Sequence, residues 1–265
     1  MKLLLPVVIS LIASTIGAIC GIGGGIIIKP ALDMAGIYDL STVGLLSAFT
    51  AFSMSMYSVL RNAVKKEIAF QGKTIIYISL GAVAGGFFGN HLFDKVMEKA
   101  VSESFVLSAQ AVILIILTVI TIIYTLLKGR IRTLDISNRA LIIVIGFMLG
   151  SISSFLGIGG GPFNLMFLSI FFSMDTKKAS IHSIFIILFS QGANLIFSFI
   201  KNDRPDCNIG VVLLMILCGV LGGIAGRSIN KRLKSRTVDV LFICVMVAIV
   251  MINVHNFGIV VLNDE

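Results

Sequence analysis

Ten apolar runs separated by short polar stretches make up most of the chain: Leu3–Cys20, Ile26–Gly36, Ser41–Leu60, Thr74–Leu92, Phe105–Leu127, Ala140–Leu156, Pro162–Met174, Ala179–Ile200, Ile209–Ala225 and Val238–Val254. Most are close to the roughly 20 residues a helix needs to cross a bilayer. The second and seventh have only about 11 and 13 residues, so they read as short or tilted legs rather than perpendicular spans. The pattern predicts an all-α polytopic membrane protein.

Two of the runs end in the same unit. Gly21-Ile22-Gly23-Gly24-Gly25 follows the first, and Gly157-Ile158-Gly159-Gly160-Gly161 follows the sixth, 136 positions later. Each glycine costs a helix about 1 kcal/mol relative to alanine, so an unwound backbone is needed at both places. Superposing the two units puts Asp39 on Asp175 and Ser47 on Ser183. With one residue of slip, Gly85-Gly86 and Gly89 fall on Gly222-Gly223 and Gly226. The chain therefore divides into a first membrane repeat over 1–127, a linker over 128–138 and a second repeat over 139–265.

Loop charges suggest the topology. Arg61–Lys73, Lys128–Asn138 and Arg227–Arg236 are dominated by Lys and Arg and are predicted to be cytoplasmic. Asp94–Ser104, Lys201–Asn208 and the tail with Asp264 and Glu265 are balanced or acidic and are predicted to lie outside. Residues Arg139–Asp175 must then start and end inside, which makes them a hairpin with its glycine unit at the turn. By the same logic Leu3–Gly36 is a hairpin entered from outside. Each half becomes a glycine-tipped helical hairpin plus three transmembrane helices. The odd count makes the halves inverted-topology repeats, with both termini extracytoplasmic and the two turns meeting near mid-membrane. The first run could pass for a signal peptide, but its recurrence in mid-chain reads as retained structure.

Composition agrees and removes other classes. The chain is 57% hydrophobic and 13% charged, against about 25% charged in soluble domains. The net charge of +8 sits mainly in short loops, where membrane orientation explains it better than nucleic acid does. Cys20, Cys207, Cys218 and Cys244 have no pair spacing, so neither a metal site nor a disulfide framework is expected. No cofactor is implied, and no acid/base set supports an enzyme.

Backbone that is not helical survives at membrane depth only inside protein or beside a wet cavity. A new half-helix is expected after each glycine unit, near Ile26 and Pro162. Its first N–H groups carry the positive end of the helix dipole, and Pro162 suits the first helical position. Two such N-termini facing one another form a cradle for an anion. Gly21, Gly23, Gly24, Gly25, Gly157, Gly159, Gly160 and Gly161 are the candidate binding residues. The unit fails as a dinucleotide fingerprint, since no strand precedes it, and as a P-loop, since no Gly-Lys-Ser/Thr follows. Gly81, Gly85, Gly89, Gly222 and Gly226 read instead as helix-packing notches.

Polar residues in the following helices extend the candidate site. Ser47, Ser183 and Asn164 suit anionic oxygens. Lys29, Thr50, His182, Gln191 and Asn194 are further candidates, each weighed against interhelical hydrogen bonding; Lys29 could equally snorkel to an interface. Asp39 and Asp175 read as N-caps. No Asp or Glu lies within a main span apart from Asp239 at the very edge of the last, so the carboxylate relay usual in proton-coupled pumps is not expected.

The two glycine units, followed by Ile26–Pro30 and by Pro162-Phe163-Asn164, resemble those of the TauE/SafE sulfite exporter family of membrane permeases. The resemblance spans the whole chain. It implies a secondary transporter, working as an exporter, of small organosulfur or oxo-anions such as sulfite, sulfonate or sulfoacetate, in the inner (plasma) membrane. In that family a Thr-Ser pair opens the next helix. Here Leu46-Ser47 and His182-Ser183 stand in its place, so the serines carry over and the threonines do not. The partners implied are a small anionic substrate and the lipid bilayer; a homodimer is compatible with the sequence. The competing readings are an anion channel of the same architecture and a non-transporting scaffold.

Overall fold

The computed structural model describes residues 4–65, 72–100, 102–203 and 205–263. Lys66, Glu67, Arg204, Asp264 and Glu265, which belong to the loop charges above, lie outside the described residues. The described chain forms ten helices: α1 Leu4–Cys20, α2 Gly25–Ala35, α3 Leu40–Lys65, α4 Gly72–Lys99, α5 Glu103–Leu127, α6 Arg139–Leu156, α7 Gly161–Phe172, α8 Thr176–Lys201, α9 Ile209–Arg232 and α10 Ser235–Asn263. No strand occurs among these residues. Seven helices (α3–α6 and α8–α10) are long and apolar enough to cross a membrane.

Several helices overrun the apolar run that predicts them. α3 continues past Leu60 to Lys65, α4 past Leu92 to Lys99, and α9 past Ala225 to Arg232. Much of the expected loop in Arg61–Lys73, Asp94–Ser104 and Arg227–Arg236 is therefore helix. The reason is physical. An apolar run ends where hydrocarbon ends, whereas a helix makes its own backbone hydrogen bonds and can continue into water. The starts are better marked. Asp39 accepts from the Thr42 N–H at 2.9 Å and Asp175 from the Lys178 N–H at 3.0 Å, both as N-caps. Asn138 and Asn208 cap α6 and α9 in the same way.

Glycines set the closest helix contacts. A Cβ on Gly81 would fall 2.1 Å from the Ile143 carbonyl oxygen, and one on Gly85 2.1 Å from that of Phe147. α4 and α6 thus touch through their backbones. α9 meets α1 likewise: a Cβ on Gly226 would fall 2.3 Å from the Thr15 oxygen. These are the packing notches expected from the sequence.

The short helices return to where their partners begin. Ile9 near the start of α1 and Tyr38 just past α2 pack in one apolar cluster with Cys207 and Val211. At the other hairpin, the residues before α6 pair with the end of α7. The Leu134 N–H donates to the Ile170 oxygen at 2.7 Å and the Ile136 N–H to the Phe171 oxygen at 3.0 Å. Each glycine unit is the turn between two such legs.

Candidate functional site

The two glycine turns touch. A Cβ on Gly25 would fall 2.7 Å from the Ile158 carbonyl oxygen, and a Cβ on Gly161 would fall 1.6 Å from that of Ile22. Each isoleucine carbonyl thus seats on the first helical glycine of the opposite turn, where no side chain fits. Within the turns, Gly21, Gly23, Gly157, Gly159 and Gly160 hold φ between 65° and 76°, a region that disfavours other residues. Neither Gly24 nor Gly160 gives its half-helix a side-chain cap, and Pro162 sits in the first turn of α7. Both turns are buried.

The following helices close around them in matched fashion. Ser47 on α3 donates to the Gly25 oxygen at 3.3 Å, and Ser183 on α8 donates to the Gly161 oxygen at 3.4 Å. These long bonds leave both hydroxyls beside the half-helix starts. Asn164 on α7 and Gln191 on α8 are fully buried, and the nitrogen and oxygen of each amide find no partner among the described residues. A Cβ on Gly160 would fall 3.3 Å from the Asn164 Oδ1, and one on Gly159 would fall 3.7 Å from the Gln191 Nε2. Both amides therefore stand at the second turn. Leaving a buried polar group unpaired costs about 1–3 kcal/mol. A cost paid twice at one turn makes it the candidate site.

Two hydroxyls not singled out in the sequence join them. Ser153 Oγ lies 1.8 Å from a Cβ placed on Gly160, Ser14 Oγ lies 3.0 Å from one placed on Gly24, and both oxygens lack a partner among the described residues. Their signal was a hydroxyl just ahead of each glycine unit, in the leg that enters the turn. The polar candidates predicted from the sequence lie in the helices that leave the turns.

Other candidates fall elsewhere. Thr50 donates to the Leu46 oxygen in its own helix, and its carbonyl lies 2.7 Å from a Cβ placed on Gly219; it belongs to the α3–α9 contact. The His182 ring bonds the Lys178 carbonyl at 2.8 Å. Lys29 is buried, donates to Gln110 Oε1 at 2.9 Å and lies 3.7 Å from the Asp33 carboxylate. Gln110 in turn donates to the Phe155 oxygen at 2.6 Å. The lysine does not snorkel. Its stem passes 3.4 Å from a Cβ placed on Gly157, so a buried ion pair backs the second turn.

Two clefts approach the turns. The first is lined by Lys29, Gly44, Asn90, Asp94, Gly157 and Asn194, among others. It takes in the N-terminal end of α3 and the C-terminal end of α8. The second is lined by Ala18, Ser58, Lys177, Ser180, Arg227 and Lys231, among others. It takes in the C-terminal end of α3 and the N-terminal end of α8. The clefts thus lie at opposite ends of both helices. From Leu45 to Ser58 along α3 is about 20 Å, and from Ile184 to Asn194 along α8 about 15 Å, at 1.5 Å per residue. Between these limits Ser47, Ile187, Ser190 and Gln191 are buried.

The sequence that builds this all-helical membrane fold matches a known family. The family model described as "Sulfite exporter TauE/SafE" matches residues 6–252. The chain belongs to the sulfite exporter TauE/SafE family. It is 26% identical to the "Probable membrane transporter protein YunE" of Bacillus subtilis (strain 168), over 94% of this chain and 96% of that protein. It is also 26% identical to the "Probable membrane transporter protein MJ0441" of Methanocaldococcus jannaschii, over 88% of this chain and 89% of that protein. No solved structure matches. Membership makes this a multi-pass membrane protein of a transporter family, which is not a class of enzymes.

Proposed function

We propose that the protein is a secondary transporter, working as an exporter, of small organosulfur or oxo-anions such as sulfite, sulfonate or sulfoacetate. The anion binds between the two glycine turns, against the half-helix N-termini, with Ser47, Ser183, Asn164 and Gln191 completing its hydrogen bonds and Gly21, Gly23, Gly24, Gly25, Gly157, Gly159, Gly160 and Gly161 allowing backbone approach. The observation that carries this reading is the pair of unpartnered buried amides, Asn164 and Gln191, at the second turn. The half-helix dipoles favour an anion over a cation, and the amide N–H₂ groups can donate to it.

The halves act as inverted repeats in this reading. Its support is the matched geometry of Ser47 and Ser183, the reciprocal seating of Ile22 and Ile158, and clefts at opposite ends of α3 and α8. Rocking one hairpin against the other would open the buried belt to one cleft at a time. A belt about 15–20 Å thick along α3 and α8 favours a carrier over an open channel. With the α3 C-terminus cytoplasmic, as the basic loops suggest, a negative-inside potential drives a monoanion outward with about 2.3 kcal/mol per 100 mV.

The test is flux of sulfite, sulfoacetate, taurine, thiosulfate and sulfate in proteoliposomes of the purified protein. Saturable flux of at least one, abolished by Gln191→Met, is expected. No flux of any of them sinks the reading, and unitary currents would convert it to a channel.

A further inference from the structure

We propose that the cleft lined by Lys177, Arg227 and Lys231 is a capture site for small free oxo-anions, occupied before the anion reaches the glycine turns. This rests on the transport reading above and adds a second, peripheral binding step on one face only.

The two clefts are built from equivalent positions with different charges. An offset of 136 residues carries Gly44 in the first cleft onto Ser180 in the second, and Ser41 onto Lys177. On α4 and α9, where the slip makes the offset 137, Asn90 falls on Arg227 and Asp94 on Lys231. Every charge-bearing exchange runs the same way, from neutral or acidic to basic. The first cleft also holds Asp203, and its one lysine, Lys29, is paired with Asp33. The second has three basic residues and no carboxylate among its described lining residues. Same-sign charge in a cleft with low-dielectric walls concentrates counter-ions there.

Basic residues at a membrane face could serve orientation or lipid headgroups alone. Two features argue for a cavity ligand. Arg227 is half-buried and turned inward, donating to the Ser58 carbonyl and to the Asn62 Oδ1, so its charge is held between α3 and α9 rather than spread over the surface. The cavity also continues inward: Ser180, in its wall, has its Oγ 1.9 Å from a Cβ placed on Gly21. The basic cleft therefore ends against the first glycine turn. Its volume of about 390 Å³ falls in the roughly 300–1,000 Å³ range of small-ligand sites.

The experiment uses the full chain in phosphatidylcholine vesicles, with sulfite transport measured separately from each face. The doubly substituted Lys177→Gln/Lys231→Gln protein carries the test, because Arg227→Gln also breaks the α3–α9 bonds. The expected result is a rise in KM of about fivefold per charge removed (about 1 kcal/mol at 1.4 kcal/mol per tenfold). It appears only for sulfite presented at the face bearing the α9 C-terminus, with kcat unchanged, and high salt erases the difference. No change in KM, or an equal change from both faces, overturns the capture site. So does an effect that appears only when anionic phosphatidylglycerol is added, which would make a headgroup the ligand. If the wild-type protein moves no anion, the transport reading fails, and equilibrium binding of sulfite to the detergent-solubilised protein decides the site by itself. Binding weakened by Lys177→Gln/Lys231→Gln upholds it; absent or unchanged binding overturns it.

Discussion

Gly161→Ala tests the contact between the two turns most directly. The added Cβ would fall 1.6 Å from the Ile22 carbonyl oxygen, with the Ile22 carbonyl carbon at 2.3 Å. Carbon and oxygen that are not bonded need more than 3 Å, so the first turn must retreat by well over 1 Å. It cannot do so by rotating a side chain, because the obstacle is backbone. Ile22 itself is fully buried, and Gly21 and Gly23 beside it already hold left-handed φ. Overpacking of this kind typically costs 1–3 kcal/mol, and a rigid backbone obstacle belongs at the upper end, about 3 kcal/mol. At about 2–4 °C per kcal/mol for a chain of this size, the melting temperature should drop by roughly 6–12 °C. Gly25→Ala, whose Cβ would meet the Ile158 oxygen at 2.7 Å and Ser47 Oγ at 2.9 Å, should lose less. Gly44→Ala meets nothing within 4 Å and should be neutral or stabilising, since alanine favours helix. The chain has no tryptophan, so the suitable assay is a thiol-reactive dye that reads exposure of the buried Cys20 and Cys218, in a background where the exposed Cys244 is replaced by serine. The Cys207 thiol adds little background at neutral pH: burial, then the Asp206 and Asp39 carboxylates, push its pKa up. If Gly161→Ala melts within about 1 °C of wild type, against the shift expected above, the turns do not touch and the shared site is lost with them.

Three further outcomes follow from the same geometry. Asn164→Leu and Gln191→Met should each raise the melting temperature, by relieving an unpaired buried amide worth about 1–3 kcal/mol, while abolishing anion binding; a variant that loses stability instead would mean the amide has a structural partner. Lys29→Met should destabilise by about 3–5 kcal/mol because it strands a buried carboxylate, with the side chains of Lys29 and Asp33 only 6% and 8% exposed; Lys29→Met/Asp33→Asn should recover most of the loss, and failure to do so would assign the cost to the Gln110 contact. Asp239→Ala should loosen the start of α10, since its carboxylate accepts from Lys128 at 2.5 Å and from Thr176 at 3.0 Å; faster proteolysis within residues 128–138 reads it, and unchanged cleavage would count against that staple.

Much of the fold was legible in the residues because a membrane enforces two strong rules. Apolar runs near 20 residues must be helices, and all ten expected elements are present, with Asp39 and Asp175 as caps. The glycine units were equally legible as breaks between apolar legs, because four glycines in five residues are costly inside a helix. Helix ends were not, because hydropathy reports the hydrocarbon boundary and says nothing of how far α4 or α9 runs beyond it. The individual polar residues were the least legible. A serine at i, i+3 spacing looks the same whether it bonds to a glycine turn, as Ser47 does to the Gly25 oxygen, or to a helix away from the turns, as Ser53 does to the Ile216 oxygen.

What the sequence determined by itself was therefore the class of protein, the number and order of its helices, and the place of its two turns. All of these follow from local composition and from repetition along the chain. Tertiary structure alone decided that Ile22 sits on Gly161 and Ile158 on Gly25, that Ser14 and Ser153 join the turns while Thr50 leaves them, and that Lys29 is held by Gln110 and Asp33. The seating of Ile22 on Gly161, of Ile158 on Gly25 and of Lys29 on Gln110 depends on contacts between residues far apart in the chain, and even the shorter-range contacts depend on how the hairpin legs fold back, which local composition does not record.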